Sequence, residues 1–331
     1  MLTQNALPDA NVPDADVARF ADDFLRLSNA APGDRIGIAV SGGPDSVALL
    51  LLAAAAFPGR VEAATVDHRL RAASADEAKF VADLCIQHRI VHQTLVLDAL
   101  AAGNVSANAR KARYRALNDW ADARGLAWLL TAHHADDQLE TVIMRLNRGA
   151  GVTGLSGVRA RQGHIVRPLL SWRRAELVAL VAGSGIIAAD DPSNRDDRYD
   201  RARLRKALAQ AGWIDARAVA ESAAAMADAD MAIEWTVHAL EQKYVAVVDA
   251  TVSFSVGADE IPVEYIRRLV LRCLRRIDPD ARPRGGALSR LVETLRNGGT
   301  ATIGNVIARG GVLWTFGPAP PRRKTAVSPT N

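Results

Sequence analysis

The chain has 331 residues and a mass of 35.4 kDa, enough for two or three domains at roughly 100 to 200 residues each. With 49% hydrophobic and 24% charged residues it sits at the globular average, which excludes a wholly disordered or collagen-like chain. The net charge of +4 conceals an asymmetry: from Glu264 onward thirteen Lys and Arg face four acids, a net +9, which leaves −5 for the rest. Such a basic piece suits a polyanion-binding appendage or, more plainly, a solvated arginine-rich helix face.

The first 20 residues carry Asp9, Asp14 and Asp16 and no basic start before an apolar run, so no secretory signal is expected. Residues 1–34 read as an extension and a helix. Strands are predicted at 35–40, 61–66, 91–97 and 126–131, each short and rich in branched residues, with helix-like stretches between them. The longest apolar run, 47–57, stops at Pro58-Gly59, short of the roughly 18 to 20 residues of a membrane span, so a soluble, cytoplasmic protein is expected. A fifth strand at 164–169 precedes a helix from Ser171, whose hydroxyl could cap it, to about residue 182. Alternation of this kind predicts the α/β class: a doubly wound, mainly parallel sheet covered by helices, over residues 35–212.

After a polar connection at 183–194, residues 199–211 read as a very basic helix. An alanine-rich helix at 215–243, with Met226, Met231 and Ile233 as core candidates, opens a smaller, mostly helical C-terminal domain at 213–317. Within it, 245–256 alternate like a strand, 262–277 and 285–296 read as helices, and 300–307 with 312–316 read as a hairpin about Gly310-Gly311. Residues 318–331 are expected to be disordered. Cys85 and Cys273 lie far apart and form no CxxC pair, so a metal, iron–sulfur or redox dithiol role is not expected of them.

Two segments carry chemistry. The first strand runs into Ser41-Gly42-Gly43-Pro44-Asp45-Ser46 and then an apolar helix. Paired glycines permit φ > 0, Pro44 suits a first helical turn, and the helix N-terminus offers N–H groups to phosphate. The segment is neither GxxxxGK[ST] nor GxGxxG. After the fourth strand come His133, His134, Asp136, Asp137 and Glu140, at the strand's carboxyl end, where open α/β sheets bind ligands. Glu140 shares a helical face with Asp136 or with Asp137. Adjacent histidines without cysteine do not suit zinc, whereas carboxylates beside a phosphate loop favour Mg²⁺, with Asp45 and Asp136 as candidate ligands. A glycine-rich stretch at 147–157 could be a closing loop or a set of tight turns.

The loop resembles, residue for residue, the SGGxDS pyrophosphate loop of the ATP pyrophosphatase superfamily. SGGPDS at 41–46, TVDHRLR at 65–71, ARKARY at 109–114, LLTAHHADDQLET at 129–141, RLNRGAG at 145–151, RPLL at 167–170 and DPSN at 191–194 occur in one order. That set resembles the tRNA(Ile)-lysidine synthetase family, over about residues 35–205. The resemblance implies that ATP, free L-lysine and the CAU-anticodon isoleucine tRNA react through an adenylated wobble cytidine to give lysidine, AMP and pyrophosphate. It assigns ATP to Ser41, Gly42, Gly43, Pro44, Asp45 and Ser46, with Asp67 and His68 as further pocket candidates. Arg113 would neutralise charge on the α-phosphate, Asp137 and Glu140 would hold the lysine, and His133 would orient a carboxylate or move a proton. Arg201, Arg205, Arg267, Arg268, Arg272 and Arg275 would contact tRNA, although Ala202 stands where the family's basic run carries Asn. Oligomeric state is left open, a homodimer included. The competing readings are a tRNA thiolase of the same superfamily, for which the two cysteines are poorly spaced, a non-catalytic tRNA-binding module, and a small-molecule synthetase that uses no RNA.

Overall fold

A computed structural model describes residues 12–68, 73–97, 105–189, 200–255, 261–283 and 285–320. The expected motif at 191–194, residues 69–71 and the tail beyond 320 lie outside the described residues. Contacts divide the chain into two units, Met1–Ala227 and Asp228–Asn331, within the long alanine-rich helix rather than at the expected 212/213 boundary. Among the described residues, no helix is long and apolar enough to cross a membrane.

In the first unit, β1 (Ile36–Ala39), β2 (Val61–Asp67), β3 (Val91–Val96), β4 (Trp128–Leu130), β5 (Arg161–Gln162) and β6 (Ile165–Val166) form one sheet in the order β3-β2-β1-β4-β6-β5. Neighbours are parallel except β5 and β6, the antiparallel edge that the single strand expected at 164–169 becomes. The helices are α1 (Asp14–Ser28), α2 (Pro44–Ala56), α3 (Ala73–Gln87), α4 (Val105–Arg124), α5 (Ala135–Leu146), α6 (Val152–Leu155), α7 (Arg174–Gly183), α8 (Asp200–Gln210) and the start of α9 (Ala216–Tyr244). Helix α2 is apolar on all sides and is fully buried from Val47 to Ala53, packed by α1 and α7. Only its N-terminal turn opens toward the cavity described below.

Helix α7 begins at Arg174, later than expected, because the Ser171 hydroxyl donates to Asp23 Oδ2 instead of capping it. Glu176 takes over the capping role, accepting from the Arg173 N–H at 2.6 Å. Met226 and Met231 are exposed rather than core; only Ile233 packs inward. The inward face of α9 runs instead through Ala216, Ala220, Ala223, Asp230 and Val237. On so alanine-rich a helix the larger apolar side chains do not mark the buried stripe.

The second unit pairs the remainder of α9, α10 (Val263–Ile277) and α11 (Gly285–Arg296) with β7 (Val245–Val248), β8 (Thr251–Ser255), β9 (Thr300–Ile303), β10 (Val306–Arg309) and β11 (Leu313–Pro318). The strands form one antiparallel sheet in the order β7-β8-β11-β10-β9. The strand expected at 245–256 is a hairpin that turns at Asp249 (φ 51°), and the one expected at 300–307 turns at Gly304. Phe254 and Trp314 meet edge to face in its core, their ring centroids 5.5 Å apart.

Gly37 in β1 lies directly under α4: a Cβ there would approach Trp120 and Leu126 to 2.8 Å, and both side chains are buried. Gly37→Ala is therefore expected to destabilise the first unit by about 1–3 kcal/mol through overpacking, read by urea denaturation.

Candidate active site

Strands β1 and β4 are parallel neighbours, so the turns that follow them emerge side by side at the carboxyl edge of the sheet. In the first turn Gly42 adopts φ 89°, a conformation that L side chains rarely take. Gly43 N-caps α2 and Pro44 occupies its first turn. The N–H groups of Gly42 and Gly43 have no hydrogen-bond partner among the described residues. Ser46, by contrast, is committed to the loop: its hydroxyl donates to Gly43 O at 2.9 Å and accepts from the Ser41 N–H at 3.1 Å. Ser41 Oγ, the two glycine amides and the positive end of α2 together make an anion-binding nest.

His134 is the buried N-cap of α5. The Asp137 N–H approaches its Nδ1 at 3.4 Å, and the His134 N–H donates back to Asp137 Oδ2 at 3.2 Å. Its Nε2 lies 3.6 Å from Asp45 Oδ2 and 3.5 Å from Asp137 Oδ2. Burial would lower its pKa, but the carboxylates of Asp45, Asp137 and Asp136 close to the ring outweigh that and raise it. His133 is the opposite case. Burial first, then the charges of Arg167, Arg110, Arg113 and Arg201, hold it well below the usual histidine range, so it is neutral near pH 7. Its Nδ1 pairs with Thr131 Oγ1 at 3.0 Å. The imidazole among the carboxylates is thus His134 rather than His133, the one expected to orient a carboxylate.

The three expected carboxylates separate into two groups. Asp136 is gripped by the Arg173 guanidinium (3.0 and 3.3 Å) and by the Arg174 N–H (2.7 Å), so it is not free to join Asp45 at a metal. Among the described residues no group of three or more His, Cys, Asp and Glu is arranged to hold a metal ion. Asp45 keeps one buried oxygen, Oδ1, without a hydrogen-bond partner. Asp137 and Glu140 stay together, bridged by Arg201: its Nε reaches Glu140 Oε2 at 2.6 Å and its Nη2 reaches Asp137 Oδ1 at 3.1 Å. Arg205 holds Glu140 as well, at 2.6 and 3.1 Å. These two arginines, expected to contact nucleic acid, here neutralise the carboxylate pair.

A cavity of about 870 Å³ joins the two turns, lined by Ser41, Gly43, Asp45, His68, Arg113, His133, Asp137 and Arg201 among others. Its size suits a nucleotide-sized ligand. Arg113 has no anionic partner among the described residues and stacks near Tyr114, which leaves a partly buried cation on the cavity wall. Asp67 stands at the end of β2, beside the lining residues Val66 and His68. The glycine-rich stretch is tied down: Arg145 donates to Gly154 O and Gly157 O at 2.8 Å, and the Gln138 amide exchanges two hydrogen bonds with Val158. Tight turns describe it.

In the second unit the expected nucleic-acid arginines differ in availability. Arg268 is buried and bonded to Asp230, Glu234 and Glu264 at 2.7–2.9 Å. Arg272 is paired with Glu234 and Glu241. Arg268 is therefore an internal strut rather than a phosphate contact, and Arg272 is largely committed in the same way. Arg267 is half-buried beside Glu264, and Arg275 is exposed. Both cysteines are buried, one in each unit, and burial pushes each thiol up to about 12. Neither is poised as a thiolate.

A family model described as a PP-loop domain matches residues 17–211. The chain is 45% identical over 318 residues to the tRNA(Ile)-lysidine synthase of Novosphingobium aromaticivorans, covering 92% of this chain and 94% of that one. It is 40% identical over 317 residues to the tRNA(Ile)-lysidine synthase of Zymomonas mobilis subsp. mobilis, covering 91% and 93%. Among solved structures it is similar to the U34-tRNA thiolase NcsA from Methanococcus maripaludis with its 4Fe-4S cluster, with a TM-score of 0.50 and 14% identity over 63% of this chain and 76% of that chain. The last likeness shows the fold alone.

Arg268→Met would take from buried Asp230 the guanidinium 2.8 Å away, and is expected to cost about 3–5 kcal/mol of second-unit stability in urea denaturation. His133 gives a pH signature. Its folded pKa is depressed, so below about pH 6.5 the unfolded chain binds the proton first and stability falls as pH drops. Denaturation at about pH 7 and about pH 5.5 should therefore show a smaller acid loss in His133→Gln than in the parent chain.

Proposed function

The chain belongs to the tRNA(Ile)-lysidine synthase family, and on that premise we propose that its first-unit cavity joins free L-lysine to the wobble cytidine of a CAU-anticodon isoleucine tRNA at the expense of ATP. The observation that carries this reading is the meeting, in one cavity, of an anion nest at Ser41 and Gly43 with a carboxylate that holds a cationic side chain, Asp137 under Arg201. In the first step the cytosine O2 attacks the α-phosphate, the bond to the β-phosphate breaks, and pyrophosphate leaves. In the second the lysine ε-amine bonds to C2 and the C2–O2 bond breaks, so that AMP leaves with O2 and the amine loses a proton.

The chain's own groups suit each part. The Gly42 and Gly43 amides and Ser41 Oγ are placed to bind the departing pyrophosphate, and Arg113 to neutralise charge that grows on the α-phosphate. Asp45 is the residue we assign to Mg²⁺, because its buried Oδ1 accepts no hydrogen bond and has only the Arg174 Nε, 3.8 Å away, as a charged neighbour; the bound ion would offset phosphate charge. Asp137 and Glu140 would orient the lysine ammonium. At an ordinary pKa near 10.4 only about one amine in a few thousand is neutral at pH 7, so lysine has to be held until its proton leaves. In the second unit, exposed Arg275 and half-buried Arg267, rather than Arg268, are the arginines left to meet tRNA phosphates. The setting we propose is the cytoplasm, where tRNA is found.

Two buried cysteines with raised thiols support lysine over sulfur as the incoming group. The deciding measurement is transfer of radiolabelled lysine into acid-precipitable RNA, with an isoleucine tRNA transcript bearing CAU, a methionine tRNA of the same anticodon as control, and ATP present or absent. ATP-dependent labelling of the isoleucine transcript alone is expected; no labelling with pyrophosphate still released would refute the lysine reading. Asp137→Asn should lower transfer by about ten- to a hundred-fold, the worth of a charged hydrogen bond, while tRNA affinity in filter binding stays within about two-fold.

A further inference from the structure

The carboxylates assigned to the lysine ammonium are already satisfied in the free protein. Both oxygens of Glu140 are held by guanidinium groups, Oε1 by Arg205 and Oε2 by Arg201 and Arg205, and Arg201 also reaches Asp137. Glu140 is only 3% exposed, so little water competes for it and the pairing is strong. Two anions face two cations. A lysine ammonium entering this cluster brings a third cation toward a wall that also carries Arg110 and Arg113. It has either to displace a guanidinium or to arrive together with new negative charge.

The two arginines sit one turn apart on α8 and are not equivalent. Arg201 lines the same cavity as Ser41, Gly43 and Arg113, whereas Arg205 is not among the lining residues and contacts Glu140 alone of the carboxylate pair. Arg201 thus borders both the carboxylates and the cavity that holds the anion nest, so a bound polyphosphate would offer it a second anionic partner. Burial of Glu140 sharpens that choice, while the part-exposed Arg201 has room to move: whichever anion Arg201 leaves is free to take another cation.

We propose that Arg201 is a two-position coupling residue: it caps Asp137 and Glu140 in the free protein and turns to the polyphosphate of ATP when that binds, so that lysine binds tightly only after the nucleotide. This rests on the reading of Asp137 and Glu140 as the lysine carboxylates. It also explains why a lysine site needs arginines at all, since an empty, buried carboxylate pair would otherwise repel itself. By linkage, lysine raises the affinity for ATP by the same factor as ATP raises the affinity for lysine.

The test is equilibrium dialysis of radiolabelled lysine against the full chain, alone, with a non-hydrolysable ATP analogue, and with the isoleucine tRNA transcript in place of nucleotide. The analogue is expected to tighten lysine binding by about ten-fold or more, within the usual range of coupling between sites. In Arg201→Gln the lysine affinity without nucleotide should rise toward the nucleotide-bound value and the coupling should fall below about two-fold, while Arg205→Gln retains coupling. Equal lysine affinity with and without the analogue in the parent chain would overturn the proposal, and that arm needs no variant to fold. Coupling that survives intact in folded Arg201→Gln, or that appears with the transcript and not with the analogue, would overturn it as well. Absence of lysine binding in every arm, together with absence of lysine transfer, would instead overturn the underlying assignment of the carboxylates.

Discussion

A buried imidazole, His134, ties together the two turns on which the site is built. It stands at the end of β4, caps α5, and faces Asp45 on α2 as well as Asp136 and Asp137 on its own helix. Adjacency of β1 and β4 in a parallel sheet brings those turns close, but adjacency alone would set Asp45 and Asp137 near each other as like charges. The His134 ring stands between those carboxylates, and its raised pKa is the counterpart of that arrangement, since its Nε2 faces both Asp45 and Asp137. The anion nest and the acidic patch can then share one cavity.

The same rule, that buried charge has to be matched, organises the second unit. Asp230, Glu234 and Glu241 on α9 meet Arg268, Arg272 and Arg276 on α10 as a ladder of ion pairs. Much of the net charge that singled out this piece in composition is thus internal to it. Any nucleic-acid contact by this unit has to be sought among half-buried Arg267 and the exposed Arg275, Arg282, Arg290, Arg296 and Arg309 rather than in the total.

What could be read from sequence was what depends on local spacing. Paired glycines after a β-branched run, proline at the next helix start and the period of strand and helix all act over a few residues, and the glycine turn, the parallel sheet and the carboxylates at the end of β4 stand where those signals put them. What escaped depends on partners far along the chain. Nothing at 133–134 says which histidine caps α5, because histidine is an unusual cap; the nearest clue was Asp137 three residues after His134, the spacing of a capping box. The loss of Asp136 to Arg173 is a contact across 37 residues. The ladder on α10 did leave a trace, since acids at 230 and 234 and arginines at 268, 272 and 276 each recur at one helical turn, but the pairing of the two faces is a tertiary fact.

Charge matching also bears on how an enzyme of this family could keep its amine and its nucleotide apart until both are present. The cavity wall is rich in cations, with Arg110, Arg113 and Arg201 lining it and His133 forced neutral beside them. Such a wall favours a polyphosphate and disfavours an ammonium. The acidic pair that would reverse this preference is sequestered under Arg201 and Arg205. A nucleotide adds several negative charges to the cavity, which both satisfies the cationic wall and lowers the cost of bringing in lysine. On the proposed coupling, the order of binding would follow from the electrostatics of the free cavity, and Arg201, which lines the cavity and holds both carboxylates, would be the residue through which the two substrates sense each other.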